Sequence, residues 1–339
     1  MDYKQSGVDI EAGERAVKSI KNVVKKSYNE NVLTELGSFG GLYAVDLSKW
    51  KAPVMVASTD GVGTKILVAL KAGRYDTIGQ DLVNHCVNDI FVQGASPQFF
   101  MDYIGLSKMR PKMVKEIITG MTKACIENEM SLIGGEMAEM PDIYQGDDFD
   151  LVGTIVGLVE KDGIITGQVI QENDVVIGFP STGLHTNGYS LARKIVFDRL
   201  GHKVDDYIKQ LGMTVSDAML SVHRSYYQML KKWAKPSMIH GMAHITGGGL
   251  VGNIKRILPN ELSVIIECYS NSLPVLFKWL MTKGNLSKEE AYSAFNMGIG
   301  FVVITSQSQA KIIIEETDGR IIGKVTKKRI KDKVWLNFD

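Results

Sequence analysis

The chain has 339 residues, 45% apolar and 23% charged, which is room for two globular units with ordinary cores. A formal net charge of +1 builds no basic field for nucleic acid, and no apolar run approaches the length of a membrane span. Cys86, Cys125 and Cys268 are few, odd in number and far apart, which argues against a disulfide framework or a zinc site and for core thiols in a reducing cytoplasm.

Met1 to Gly7 carry early charge and no apolar core, so no signal peptide is expected. Val17, Ile20, Val23, Val24 and Tyr28 recur at helical spacing. Pro53 to Ser58 reads as a buried strand that runs straight into Thr59-Asp60-Gly61-Val62-Gly63-Thr64-Lys65. A helix is expected from about Thr77 to Gln93, stopped by Gly94, then a strand over Gln98 to Leu106. Pro111 opens a further helix, and Ser131 to Ile133 forms a short strand ending in Gly134-Gly135-Glu136. Leu151 to Val159 is a strand, followed by a turn at Lys161-Asp162-Gly163. Near Gly167 the pattern restarts, which places the domain boundary there, as 1–167 and 168–339. Asp174 to Phe179 is a strand, Pro180 to Gly188 a loop and Tyr189 to Leu200 a helix. A helical stretch over Val215 to Trp233 and a loop over His244 to Gly249 follow, the loop opening a helix. Leu262 to Glu267, Gly298 to Ile304, Arg320 to Val325 and Lys333 to Leu336 read as strands. Both halves mix the two element types, so the class is α/β or α+β.

Five clusters carry chemistry. In the first, Asp60 at a strand end precedes Gly61, Gly63, Thr64 and Lys65. A carboxylate suits Mg²⁺, the glycines bring backbone N–H groups near phosphate, and the lysine adds charge, although the spacing is not that of a Walker A loop. A tight turn with an exposed lysine explains the same residues equally well. The second cluster is a narrow polar stripe on an otherwise apolar helix, where Asp81, Asn84, His85 and Asn88 share one side with Asp89 at its edge. A small solvated stripe is the plainer reading, and His85 ranks below Asp89 for want of an evident partner. The third is Glu136 beyond Gly134-Gly135, which with Asp60 and Asp89 makes three carboxylates suited to Mg²⁺. The fourth is Ser181-Thr182-Gly183-Leu184-His185-Thr186-Asn187-Gly188, between a strand and a helix. Its hydroxyls, Asn187 and His185 offer hydrogen bonds and a proton-transfer group. The fifth is His244-Ile245-Thr246-Gly247-Gly248-Gly249, three glycines opening a helix, which suits a phosphate cradle better than a flexible linker.

Taken together, STDGVGTK, Val87-Asn88-Asp89, GGEMAEMP, STGLHTNGYSLAR, AHITGGGL and Phe295-Asn296-Met297-Gly298-Ile299-Gly300 resemble the aminoimidazole ribonucleotide synthetase (phosphoribosylformylglycinamidine cyclo-ligase) family from Lys4 to about Ile304. The resemblance implies an N-terminal domain whose sheet forms a barrel across a homodimer, and a C-terminal α/β domain. It implies a ligase of de novo purine biosynthesis. That enzyme closes formylglycinamidine ribonucleotide to 5-aminoimidazole ribonucleotide, releasing ADP and phosphate. ATP and Mg²⁺ would be held by Asp60, Gly61, Gly63, Thr64, Lys65, Asp89 and Glu136. Lys65 and Lys4 would stabilise the transferring phosphoryl group. Ser181, Thr182, His185, Asn187 and Gly247, Gly248 and Gly249 would hold the substrate, with His185 or His244 handling a proton. Two alternatives remain: a selenophosphate synthetase-like enzyme of the same fold, and a non-catalytic nucleotide-binding protein. The first needs a reactive cysteine near the N-terminal lysine, and the first cysteine here is Cys86.

Overall fold

The computed structural model describes residues 9–327 and 332–339; Lys4 lies outside them. The chain divides into two compact units. One runs to Ile90 and resumes over Ala95–Lys161; the other takes Phe91–Gly94 and Asp162–Asp339. The division therefore falls at Lys161, ahead of the expected Gly167.

In the first unit, helix α1 (Ile10–Val24) is capped by Asp9, whose carboxylate accepts the Ala12 N–H at 2.9 Å. Strand β1 (Pro53–Gly61) leads through a tight turn at Gly63–Lys65 into α2 (Ile66–Ala72) and α3 (Asp76–Phe91). Then come β2 (Ser96–Leu106), α4 (Pro111–Glu127), β3 (Ser131–Glu139) and β4 (Phe149–Glu160). The sheet order is β1-β4-β2-β3, with β2 and β3 parallel and the other pairs antiparallel. Glycine lets α3 and α4 touch: a Cβ at Gly79 would lie 2.1 Å from the Ile117 carbonyl, and one at Gly120 would lie 2.0 Å from that of Asp76. The apolar side of α3 presses on β4, where a Cβ at Gly153 would meet Leu82 and one at Gly157 would meet Ile90. The other face of this sheet stays open, with Met55 exposed and Phe99, Met101, Tyr103, Val152 and Val156 half-buried.

The second unit is built on β5 (Val175–Pro180), followed by α5 (Tyr189–Arg193), which runs on into a π-helical turn. A small ribbon, β6 (Tyr207–Ile208) and β7 (Met213–Thr214), precedes α6 (Val215–Met219) and α7 (Tyr227–Leu230). Then follow β8 (Gly241–His244), α8 (Gly249–Ile254), β9 (Leu262–Cys268), α9 (Val275–Gly284) and α10 (Lys288–Ala294). β10 (Ile299–Thr305), α11 (Gln307–Glu315), β11 (Arg320–Lys327) and β12 (Val334–Phe338) complete it. The six strands are ordered β12-β9-β11-β5-β10-β8. β5 and β8 are both antiparallel to β10, so they run parallel to each other. The loops that follow β5 and β8 therefore leave from the same edge of the sheet, and the turn before β10 joins them there.

Three local readings change. The Gly134-Gly135-Glu136 run is not a turn beyond a short strand but the middle of β3, in register with Met101, Asp102 and Tyr103 of β2. The stretch Val215 to Trp233 is not one helical run, because α6 and α7 flank non-helical residues 220–226. Tertiary bonds hold that break: Thr182 donates to the Val222 carbonyl, and the Tyr226 hydroxyl donates to the Pro180 carbonyl at 2.9 Å. Strand β8 and helix α2 appear where neither was expected. All three cysteines are buried and none is in a disulfide.

Candidate functional site

The first unit gathers its chemistry where β1 ends over α3. Asp60 and Ser58 share the strand face that looks onto the helix. On α3, His85 and Asp89 are four residues apart and so lie on the same side. His85 Nε2 is 2.8 Å from Asp60 Oδ2 and 3.5 Å from Asp89 Oδ2, and the Ser58 hydroxyl donates to Asp89 Oδ2 at 3.4 Å. One donor atom from each of Asp60, His85 and Asp89 lies within 4.8 Å of the others. Burial alone opposes charge on His85. The hydrogen bond to Asp60 and the charges of Asp89, Asp60 and Asp81 outweigh it, and the imidazole's affinity for a proton is raised above its ordinary value. His85, ranked below Asp89 from sequence, is thus the hub between the two acids. The signal that could have found it was its i,i+4 spacing from Asp89.

Glu136 is not part of this cluster. The register aligns Asp60, Gly153, Asp102 and Gly135 across the sheet, so the next residue of β3, Glu136, turns to the opposite face. It is also three strands from β1, roughly 14 Å at about 4.8 Å per strand. Its carboxylate accepts its neighbour Met137 N–H at 2.9 Å. Lys65 also departs from expectation. Its side chain is fully buried, and Nζ lies 2.7 Å from Asp81 Oδ2, so it is spent on an internal ion pair rather than offered to a phosphate. Gly63 and Thr64 stay exposed in the turn, Gly63 at φ +57°. The Gly61 N–H donates to Asp60 Oδ1 at 2.7 Å, orienting that carboxylate.

The second unit brings the two glycine-containing loops side by side, as the strand directions require. A Cβ at Gly247 would sit 3.5 Å from Asn187 Oδ1. Gly247 and Gly248 are exposed, whereas a Cβ at Gly249, at φ +59°, would lie 2.0 Å from the Tyr292 carbonyl. Asn253 ties the loop down through the Gly249 carbonyl at 2.8 Å. Asn296, just before β10, performs the same task for the β5 loop. Its Oδ1 accepts the Ser181 hydroxyl at 3.0 Å, and its Nδ2 donates to the Gly183 carbonyl at 2.8 Å.

His185 is buried at φ +62°, a left-handed conformation that is costly outside glycine. Its Nε2 accepts the Thr182 backbone N–H at 3.2 Å, and this fixes the neutral tautomer with the proton on Nδ1. The Nε2 lone pair is engaged in holding the loop, which argues against the expected proton role of His185. Its face stacks on His223, with ring centroids 4.0 Å apart. His223 Nε2 in turn faces His244 Nε2 at 3.0 Å. Two neutral imidazoles at that distance share one proton, so the tautomer of either sets that of the other. His223 was not singled out from sequence, because it lies in the break between α6 and α7 that looked helical.

Comparison with known proteins follows the same two-part division. The AIR synthase related protein N-terminal domain matches residues 44–159, and the corresponding C-terminal domain matches residues 171–334. A phosphoribosylformylglycinamidine cyclo-ligase of Geotalea uraniireducens (strain Rf4) is 45% identical over 330 residues, covering 96% of this chain and 95% of the relative. That of Geobacillus thermodenitrificans (strain NG80-2) is 45% identical over 328 residues, 95% of each chain. Among solved structures, thiamine-monophosphate kinase from Stenotrophomonas maltophilia K279a shares the fold at TM-score 0.68 and 16% identity, over 94% of this chain and 96% of that one. Hydrogenase maturation protein HypE, solved in complex with ATP, matches at TM-score 0.64 and 16% identity, over 95% and 90%.

Proposed function

Because the chain belongs to the phosphoribosylformylglycinamidine cyclo-ligase family, with both AIR synthase related domains in place, we infer that it closes the imidazole ring of 5-aminoimidazole ribonucleotide at the expense of ATP. The chemical obstacle is a leaving group: an amide oxygen does not depart at neutral pH. Phosphorylating the formyl oxygen lets it leave as phosphate, and the neighbouring amidine nitrogen attacks the same carbon. The protein's part is positioning and charge stabilisation.

Asp60 and Asp89 supply the oxygen donors that Mg²⁺ prefers, which supports assigning them the cation that accompanies ATP. When bound, that ion neutralises phosphate oxygens. Gly61, Gly63 and Thr64 lie beside it in an exposed turn suited to phosphate. Ser181, Thr182, Asn187 and Gly247–Gly249 form the substrate side, and His244, coupled to His223, takes the proton role in preference to His185, whose Nε2 is engaged by Thr182. The open sheet face, with Met55 exposed and Val152, Val156 and Met101 half-buried, favours a homodimer formed through that face. Among the described residues no helix is long and apolar enough to cross a membrane. Three buried thiols, none in a disulfide, fit a reducing cytoplasm.

The observation that carries the reading is the family match across both units together with the gathered Asp60 and Asp89. The selenophosphate-type alternative loses its cysteine, because Cys86 is buried and its thiol is pushed well above the ordinary value by that burial. The test is the purified protein with ATP, Mg²⁺ and formylglycinamidine ribonucleotide, assayed for the aminoimidazole product. ADP release that does not depend on that substrate would refute the reading.

A further inference from the structure

The donor set at the end of β1 is not one of oxygens alone. His85 Nε2 lies 2.8 Å from Asp60 Oδ2 and 3.5 Å from Asp89 Oδ2. Ligands held about 2.1 Å from a first-row divalent ion stand about 3.0–3.4 Å apart, depending on whether they meet at a right or tetrahedral angle. The imidazole nitrogen therefore sits within about 0.2 Å of the edge lengths of a coordination polyhedron whose other corners are the two carboxylates. The frame is stiff. His85 and Asp89 are one helical turn apart on α3, most of which is buried and which presses on β4 at Gly153 and Gly157. Asp60 is further oriented by the Gly61 N–H.

We propose that His85 is a third ligand of this cation site, and that the resulting nitrogen-and-oxygen donor set selects Mn²⁺ or another first-row transition ion over Mg²⁺. The proposal rests on the reading of Asp60 and Asp89 as cation ligands and deepens it. Mg²⁺ is hard, dehydrates reluctantly and gains little from an imidazole. Co²⁺ and Zn²⁺ accept nitrogen readily, and Mn²⁺, though it favours oxygen as Mg²⁺ does, dehydrates more easily and tolerates an imidazole better, so one such ligand shifts the preference toward them. Coordination releases to solvent the Nε2 proton that otherwise bridges to Asp60, Nδ1 keeping the proton of the neutral ring, and the Nε2 lone pair goes to the ion.

The experiment uses the full-length protein stripped of metal, without ATP or substrate. Mn²⁺ binding is followed by the loss of the free-ion EPR signal, with Mg²⁺ as competitor. Electron spin echo modulation then reports whether a nitrogen is bound to the manganese. We expect Mn²⁺ to bind at least about tenfold more tightly than Mg²⁺ and to show nitrogen modulation. His85→Met, which suits the apolar helix, should weaken Mn²⁺ about 10–100-fold, leave Mg²⁺ within about threefold and abolish the modulation. Asp60→Asn should weaken both ions. No nitrogen coupling in the wild-type protein overturns the proposal even if His85→Met fails to fold, and so does a coupling that survives His85→Met in a folded protein or an unchanged Mn²⁺ affinity in Asp60→Asn. These readouts stand apart from turnover. Loss of the nitrogen ligand leaves cyclo-ligase activity to be judged separately, and an inactive protein with intact nitrogen coupling refutes only the activity.

Discussion

Asp102 offers a test that depends on burial alone. It sits on β2 facing α4, and a Cβ at Gly135 would come 2.5 Å from its Oδ1, so no side chain separates it from β3. Burial pushes its carboxyl up to about 7 from 3.8, with its own backbone N–H pulling weakly the other way. In the folded chain the group is thus protonated below about pH 7, whereas in the unfolded chain it ionises near pH 4. Between those values the native state binds the extra proton, so stability falls as pH rises and levels off above about 7. Three units at about 1.36 kcal/mol each set a ceiling of about 4 kcal/mol. A cavity of about 440 Å³ adjoins the group. Of that ceiling about 2.6 kcal/mol falls between pH 5 and 8, and water in the cavity, with relaxation, brings the loss expected over that range to about 2 kcal/mol. Asp102→Asn keeps the shape and removes the titration. Urea denaturation of both proteins from pH 5 to 8 should show the variant gaining about 2 kcal/mol on the wild type across that range, most of it by pH 7. A stability difference that is constant with pH would refute the argument, as would an Asn variant that loses ground as pH rises.

The Lys65–Asp81 pair separates a structural from a catalytic lysine. Lys65→Met alone strands a buried carboxylate and should cost about 3–5 kcal/mol, while Lys65→Met with Asp81→Leu should recover most of it in a thermal melt. The double variant should keep kcat within about fivefold of wild type; a loss beyond about a hundredfold in a well-folded double variant would restore a phosphoryl role for Lys65. Gly249→Ala should cost about 1–3 kcal/mol in urea denaturation, because it adds a Cβ against the Tyr292 carbonyl at a positive φ. It should also raise the KM for the ribonucleotide more than that for ATP. Chelation of divalent ions should stop turnover reversibly. Asp60→Asn should lower kcat about 10²–10³-fold in steady-state assays, and unchanged kcat would remove Asp60 from the site.

The sequence alone determined what is written in local chemistry: the paired domains, most strands and helices, the loops STGLHTNG and HITGGG, and Asp60 and Asp89 as candidate acids. Those signals survive because periodicity, glycine runs and turn residues act over a few positions. What the chain does with them depended on contacts between distant segments. Strand register decided that Glu136 faces away from Asp60, since one residue of β3 changes the face. Depth decided that Lys65 is an internal cation, because no local pattern tells a lysine in a glycine turn from one drawn beneath a helix to meet Asp81. The antiparallel placement of β10 between β5 and β8 decided that two loops some sixty residues apart share one edge of the sheet. The imidazoles show the same limit. His85 and His223 gained their roles only when folding set an acid pair around one and His185 and His244 around the other. A hydrogen bond needs its partner within about 3 Å, and sequence distance carries no information about that.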